Sequence, residues 1–263
     1  MPSEPMHLLL DTTHIPEDTY KKIYLQLEPQ AIAPFESYLI ENYQKYTYIL
    51  TFNENVLKAC PNALKYAHGT AWITLDEVNQ IKIEDKQYQL SSVFGNKLFA
   101  PGHQFRREVF LNRDLYKSVH IPCAFFLSCN ADFVDEKEKE TLKLCHPDTK
   151  LALFKDSQFH LVIENSKQTN YFTEKLLDAL ITFTIPVYYG CPNIGEYFDT
   201  TGWIILDTPN VSELHWKIMA LDEGYYQRHM QTVLENQKRA VELMDLYTNL
   251  NRVLVTLPEF KKS

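Results

Sequence analysis

The stretch "VIENSKQTNYFTEKLLDALITFTIPVYYG", residues 162–190, changes its local pattern twice. An apolar run ends in Glu164-Asn165-Ser166. A polar loop follows, and Tyr171-Phe172-Thr173-Glu174-Lys175 opens an amphipathic helix expected over 172–183. A second apolar run, Ile185 to Tyr189, stops at Gly190. Strand, helix and strand in this order predict a βαβ unit and a parallel sheet. Open α/β sheets bind ligands beyond the carboxyl ends of their strands, where free N–H groups and the positive helix end suit phosphate. A lysine in the first turn opposes the helix dipole unless an anion sits nearby. Asn and Glu side chains can read a sugar hydroxyl or a base edge, and Tyr can stack or bond to phosphate. The plainer alternative is that Thr173 or Asn170 caps the helix while Glu174 and Lys175 are solvated surface.

The same rhythm extends in both directions. Upstream, "HLLLD" (7–11), "KIYLQLEP" (22–29), "YTYILTF" (46–52) and "TAWITL" (70–75) read as strands, with helices expected in 34–46 and 53–61. Residues 77–90 are polar and irregular and read as a linker. "SSVFG" (91–95) restarts the pattern, followed by a helix in "FRREVFLNRDLY" (105–116) and a strand in "IPCAFFLS" (121–128). "DEKEKETLKL" (135–144) reads as a solvated helix or loop, and "GWIIL" (202–206) as a last buried strand. From about 210 to 250 the chain is helical and charged, with a partial apolar stripe at Leu234, Val241, Met244 and Leu246. The expected organisation is 1–86 as one Rossmann-like half, 87–223 as a second, and 224–263 as a helical tail. In "GHQFRREV" the helix is expected to begin near Phe105, so that Arg106 and Arg107 fall in its first turn and favour an anion.

Composition narrows the function classes. Hydrophobic residues at 45% and charged residues at 23% are ordinary for a globular chain. A net charge of −8 argues against general binding to nucleic acid or anionic membrane. Five scattered cysteines (60, 123, 129, 145 and 191) without a C-x-x-C point to neither a zinc site nor a disulfide framework, and a reducing compartment fits best. The N-terminus has no signal-peptide pattern and no run is long enough to span a bilayer, so a soluble, cytoplasmic protein with no membrane anchor is expected. Trp72 and Trp203 follow the strand patterns and are expected in the core, as is Cys191. His7, His14, His120, His146 and His160 lack ligand spacing. His103 reads equally as a ligand contact and as a loop-structuring residue.

The segment from Phe159 to Ile204 closely resembles the C-terminal motif of glycosyltransferase family 10, the α-1,3/4-fucosyltransferases: apolar-E-N-S, loop, Y-x-T-E-K, helix, P-V-x-Y-G, P-N. "SSVFGNKLFAPGHQFRREV" resembles the family's second, weaker donor-site segment. The resemblance implies a GT-B fold, two Rossmann-like domains facing across a cleft, and inverting transfer of fucose from GDP-fucose to a glycan hydroxyl. By motif position, Asn165, Tyr171, Glu174 and Lys175 would bind nucleotide, ribose and phosphates. Arg106, with Arg107 as its substitute, would bind the diphosphate, and Glu164 would lie next to the donor sugar. Glu28, at the end of "KIYLQL", matches the family's catalytic base, with Glu54 as fallback and an exposed loop acid as the alternative for Glu28. "ADFVDE" (131–136) is not a convincing D-x-D metal site, and no metal or other cofactor is expected. Another nucleotide sugar such as UDP-xylose, or an inactive nucleotide-sugar-binding module, are the competing readings.

Overall fold

The computed structural model describes residues 6–67, 69–128, 133–140, 142–145 and 147–260. Cys129, Asp132 and His146 lie outside them. Two parallel sheets organise the chain. The first runs in the order β1-β2-β3-β4, from Met6–Leu10, Lys21–Leu25, Tyr48–Thr51 and Ala63–Lys65. Helices α1 (Glu36–Asn42) and α2 (Glu54–Ala59) connect its later strands. The second sheet runs β10-β9-β8-β5-β6-β7. Its strands are β5 (Gln87–Phe94), β6 (Cys123–Ser128), β7 (Lys143–Cys145), β8 (Ser157–Ile163), β9 (Ile185–Tyr189) and β10 (Ile204–Ile205). Every pairing in both sheets is parallel.

The central strand β8 is a near-continuous buried run, as expected of a strand covered on both faces. Its Phe159, Leu161 and Ile163 pack with Phe105 and Val109 of α4 (Pro101–Leu111). Val162 faces the other way, towards Leu176, Leu177 and Leu180 of α6 (Glu174–Ile181). Between these, α3 (Leu75–Val78) and α5 (Glu136–Lys139) are single turns. Helices α7 (Val211–Ile218), α8 (Tyr225–Arg228), α9 (Met230–Leu243) and α10 (Leu246–Leu254) complete the chain. Ala240, Val241 and Met244 join the core on the α6 side of the second sheet. Leu246 and Leu250 cross to pack on Ile23, Leu25 and Leu50 of the first sheet. Leu234 stays outside this packing, at 38% exposure.

Residues 70–75 are not a strand. Their donors are taken elsewhere: Ala71 N–H bonds to the Met244 carbonyl, and the Trp72 and Ile73 N–H groups both bond to Asp178 Oδ1. Thr74 then caps α3 in a capping box with Glu77. Trp72 is consequently 58% exposed rather than core, whereas Trp203 and Cys191 are buried as expected. The presumed linker also holds structure, since β5 begins at Gln87.

Candidate active site

The carboxyl ends of β2, β5, β6 and β8 open onto one cavity of about 660 Å³ between the two sheets. Glu28 reaches it from the first sheet; Arg106, Asn165, Tyr171, Glu174 and Lys175 reach it from the second. Five of the six expected donor-side residues therefore share one wall with the expected base opposite.

The wall is built by a close approach. α4 begins at Pro101, a turn earlier than expected, because Pro is preorganised for a first helical position. Gly102 sits directly against the end of β8: a Cβ there would lie 1.8 Å from the Glu164 carbonyl oxygen. Gly102 N–H bonds to the Asn165 carbonyl at 3.0 Å. Arg106, one turn on, is thus in the helix body rather than its first turn. Its Nη1 donates to the Ile163 carbonyl and its Nη2 to Asn165 Oδ1 at 3.0 Å. Arg107 points to Phe133 instead, its guanidinium 3.9 Å from the ring centre, and does not line the cavity.

Thr173 caps α6 by accepting from Lys175 N–H. Lys175 Nζ pairs with Glu174 at 2.9 Å, and both side chains are largely buried. Burial pushes the Glu174 carboxyl up, but the charges of Lys175 and Lys150 and hydrogen bonds from Lys175 and Thr173 outweigh it and hold it at about 2. Tyr171 packs on Phe52 of the first sheet's side with ring centres 5.2 Å apart. Its buried hydroxyl has no hydrogen-bond partner among the described residues.

Glu164 is not beside the cavity. It is fully buried and takes the N–H and hydroxyl of Thr173 at 2.9 and 2.7 Å. Gly190 makes room for it, since a Cβ there would lie 2.6 Å from Glu164 Cγ. Its carboxylate faces the start of α6, so it braces the loop instead of meeting a sugar. Glu54, the fallback base, is likewise engaged elsewhere: it accepts from Asn170 Nδ2 at 2.8 Å and does not line the cavity. Asn170, in the left-handed conformation at φ 62°, also receives Asn193 Nδ2 and Tyr197 Oη, so it ties the two sheets together below the cavity.

Burial raises the Glu28 carboxyl; Lys175 and Lys97 lower it and Glu174 raises it further. Glu28, Lys97, Glu174 and Lys175 all line the same cavity. His103 lines the cavity beside Arg106, Lys97 and Lys175, and burial together with those cations lowers its imidazole to about 4, so it is neutral at neutral pH. The sequence reading missed Lys97, Lys150 and Trp72. Lys150 pairs with buried Asp178 at 2.5 Å and stands 4.3 Å from the Trp72 ring centre, on the same cavity wall. Only a tertiary contact joins these residues, so no local pattern could have announced them. Among the described residues no group of three or more His, Cys, Asp or Glu is placed to hold a metal ion, and no helix is long and apolar enough to cross a membrane. Cys60, Cys123 and Cys191 are free thiols.

Two parallel sheets meeting at a cavity beyond their strand ends define a glycosyltransferase fold of the GT-B type, and solved structures agree. An α1,3-fucosyltransferase with GDP-fucose matches over 93% of this chain and 82% of its own, at a TM-score of 0.52 and 17% identity. The transferase TarM of S. aureus, in complex with UDP, matches over 93% of this chain and 52% of its own, at 0.60 and 12%. Within that class, residues 130–233 match the model of the glycosyltransferase family 10 (fucosyltransferase) C-terminal domain. The chain resembles that family over these residues, 104 of its 263. It is 31% identical over 80 residues to α-(1,3)-fucosyltransferase B of Drosophila melanogaster, and 35% identical over 57 residues to the α-(1,3)-fucosyltransferase FucT of Helicobacter pylori. These stretches are 30% and 21% of this chain, and span only 18% and 12% of those proteins' own lengths.

Proposed function

We propose that this protein is an inverting glycosyltransferase that uses a nucleoside diphosphate sugar, with GDP-fucose as the favoured donor and a glycan hydroxyl as acceptor. The observation that carries the proposal is the convergence of Arg106 and Lys175 on one wall of a cavity whose other wall bears Glu28. Fixed cations offset the charge of a leaving diphosphate, and a carboxylate opposite them takes the acceptor proton as the sugar is displaced from its far face. On this reading residues 1–86 form the acceptor side, 87–223 the donor side and 224–263 the tail. Tyr171 and Asn165 hold the nucleotide, and Glu174 accepts from ribose hydroxyls. The fucosyltransferase relatives and the GDP-fucose complex favour that donor over a UDP sugar.

Arg106 and Lys175 supply the charge that a divalent ion otherwise would, so no metal is required. Calorimetric titration with GDP, UDP and GDP-fucose in the presence of EDTA tests both points. GDP and GDP-fucose should bind and UDP should bind more weakly; equal or tighter UDP binding overturns the donor, and binding that appears only with manganese overturns the metal-free assignment.

A further inference from the structure

Glu28 lies just beyond β2 on a turn whose backbone is held from several sides. Its N–H and that of Leu27 both donate to one oxygen of Asp11, Oδ2, at 2.8 and 3.0 Å. Its carbonyl accepts from Gln26 Nε2 at 3.1 Å, and Gln26 is itself bonded to Thr51. Two residues on, Gln30 N–H donates to Gln168 Oε1 of the donor-side loop at 3.2 Å. Asp11 ends β1 at φ 40°, in the left-handed region that costs a non-glycine residue of order 1 kcal/mol or more. Its other oxygen faces Tyr24 Oη at 3.4 Å, and it does not line the cavity.

We propose that Asp11 is the positioning residue for Glu28, fixing the turn that aims this carboxylate into the cavity and placing a second negative charge behind it. The inference rests on the reading of Glu28 as proton acceptor. Two adjacent N–H groups taken by a single carboxylate oxygen fix the orientation of both peptides, and with them the direction of the Glu28 Cα–Cβ bond. The unfavourable backbone at Asp11 persists because these bonds hold it. The charged and titratable groups around the pair are Tyr24 and Glu28 at Asp11, and Lys175, Glu174 and Lys97 at Glu28. Burial, opposed by the two N–H bonds and reinforced by the Glu28 charge, raises Asp11 to about 6.

The test uses the full chain and GDP release from GDP-fucose with water as acceptor. In that step the water oxygen bonds to the sugar C1, its proton passes to Glu28, and the C1–O bond to the β-phosphate breaks, releasing GDP. Asp11→Ala should lower kcat about 10- to 100-fold, the cost of a misplaced catalytic group, with GDP affinity unchanged within about twofold. Asp11→Asn tolerates positive φ and keeps an oxygen acceptor, so it should restore most of kcat. A merely structural Asp11 would lower the melting temperature in Asp11→Ala and leave kcat of the folded protein unchanged. Wild-type turnover in Asp11→Ala, or a kcat in Asp11→Asn no higher than in Asp11→Ala, overturns the inference. Normal turnover in Glu28→Gln instead removes the base assignment, and failure of the wild type to bind GDP removes the donor reading.

Discussion

Arg106 and Asn165 are joined across the junction of α4 and β8: the guanidinium donates to Asn165 Oδ1 at 3.0 Å and, through its other nitrogen, to the Ile163 carbonyl. The residue proposed to meet a diphosphate is therefore also part of the scaffold. Arg106→Ala should weaken GDP binding about 10- to 100-fold, the usual worth of one charge-assisted hydrogen bond, and should also destabilise the fold by about 1–3 kcal/mol through the acceptors it strands. Lys175→Ala should lose similar affinity and also destabilise the fold by about 1–3 kcal/mol, because it leaves the largely buried Glu174 carboxylate without this partner. Titration and melting on the two variants check both losses; wild-type GDP affinity in either variant would contradict the placement of the diphosphate at this wall.

Glu164 gives the converse separation. Its two oxygens meet the N–H and hydroxyl of Thr173 at the start of α6, and burial raises its carboxyl above the usual range despite Lys175. Glu164→Gln replaces one acceptor by an NH₂ group facing those donors, so a loss of about 1–3 kcal/mol in unfolding free energy is expected. GDP affinity at a temperature where the variant is folded should stay within about threefold. A large affinity loss with unchanged melting would return Glu164 to the donor site.

How much of this was legible beforehand follows from the range of each signal. The segment 162–190 read correctly because its period changes within one contiguous stretch: a buried run to Ile163, a cap at Thr173, a helix, and a second buried run from Ile185. Residues 143–145 and 63–65 form strands too short to carry a period. Residues 70–75 alternate like a strand, yet their N–H groups are claimed by Asp178 and Met244, which lie far along the chain. The T-x-x-E box at Thr74 was the local sign that this stretch leads into a helix. Arg106 was found by residue type, but its partial use as scaffold depends on the contact at Gly102, which no spacing reveals. Asp11 had one visible clue, a carboxylate closing an apolar strand.

Trp72 offers an optical readout of the cavity. Of the three tryptophans, Trp203 is buried in the core and Trp216 is on the surface at 73% exposure, whereas Trp72 is on the cavity wall beside Lys150. Nucleotide binding should therefore change the fluorescence of Trp72 by altering its solvent and its cation contact. Trp72→Phe should abolish most of the GDP-induced change while leaving a saturable calorimetric signal. An undiminished fluorescence change would place the nucleotide away from this wall.

Glu28 is where pH, charge and chemistry meet. A general base works as the carboxylate, so turnover should be low where Glu28 is protonated and should rise with pH through its titration. Burial lifts that titration above the ordinary 4.5, and Lys175 opposes the lift. The acid limb of GDP release should accordingly lie above 4.5 in the wild type, and Lys175→Ala should move it to still higher pH by removing the cation that favours the carboxylate. Glu28→Gln keeps the size and hydrogen bonding of the side chain but cannot take a proton, so a rate loss of about 10²–10⁴ is expected at neutral pH. On the proposed reading GDP affinity should remain within about twofold, because Arg106 and Lys175 rather than Glu28 would hold the leaving diphosphate. Near-normal turnover in Glu28→Gln would assign proton transfer to another group; an acid limb that stays in place in Lys175→Ala would mean that this lysine and Glu28 do not face each other across the cavity.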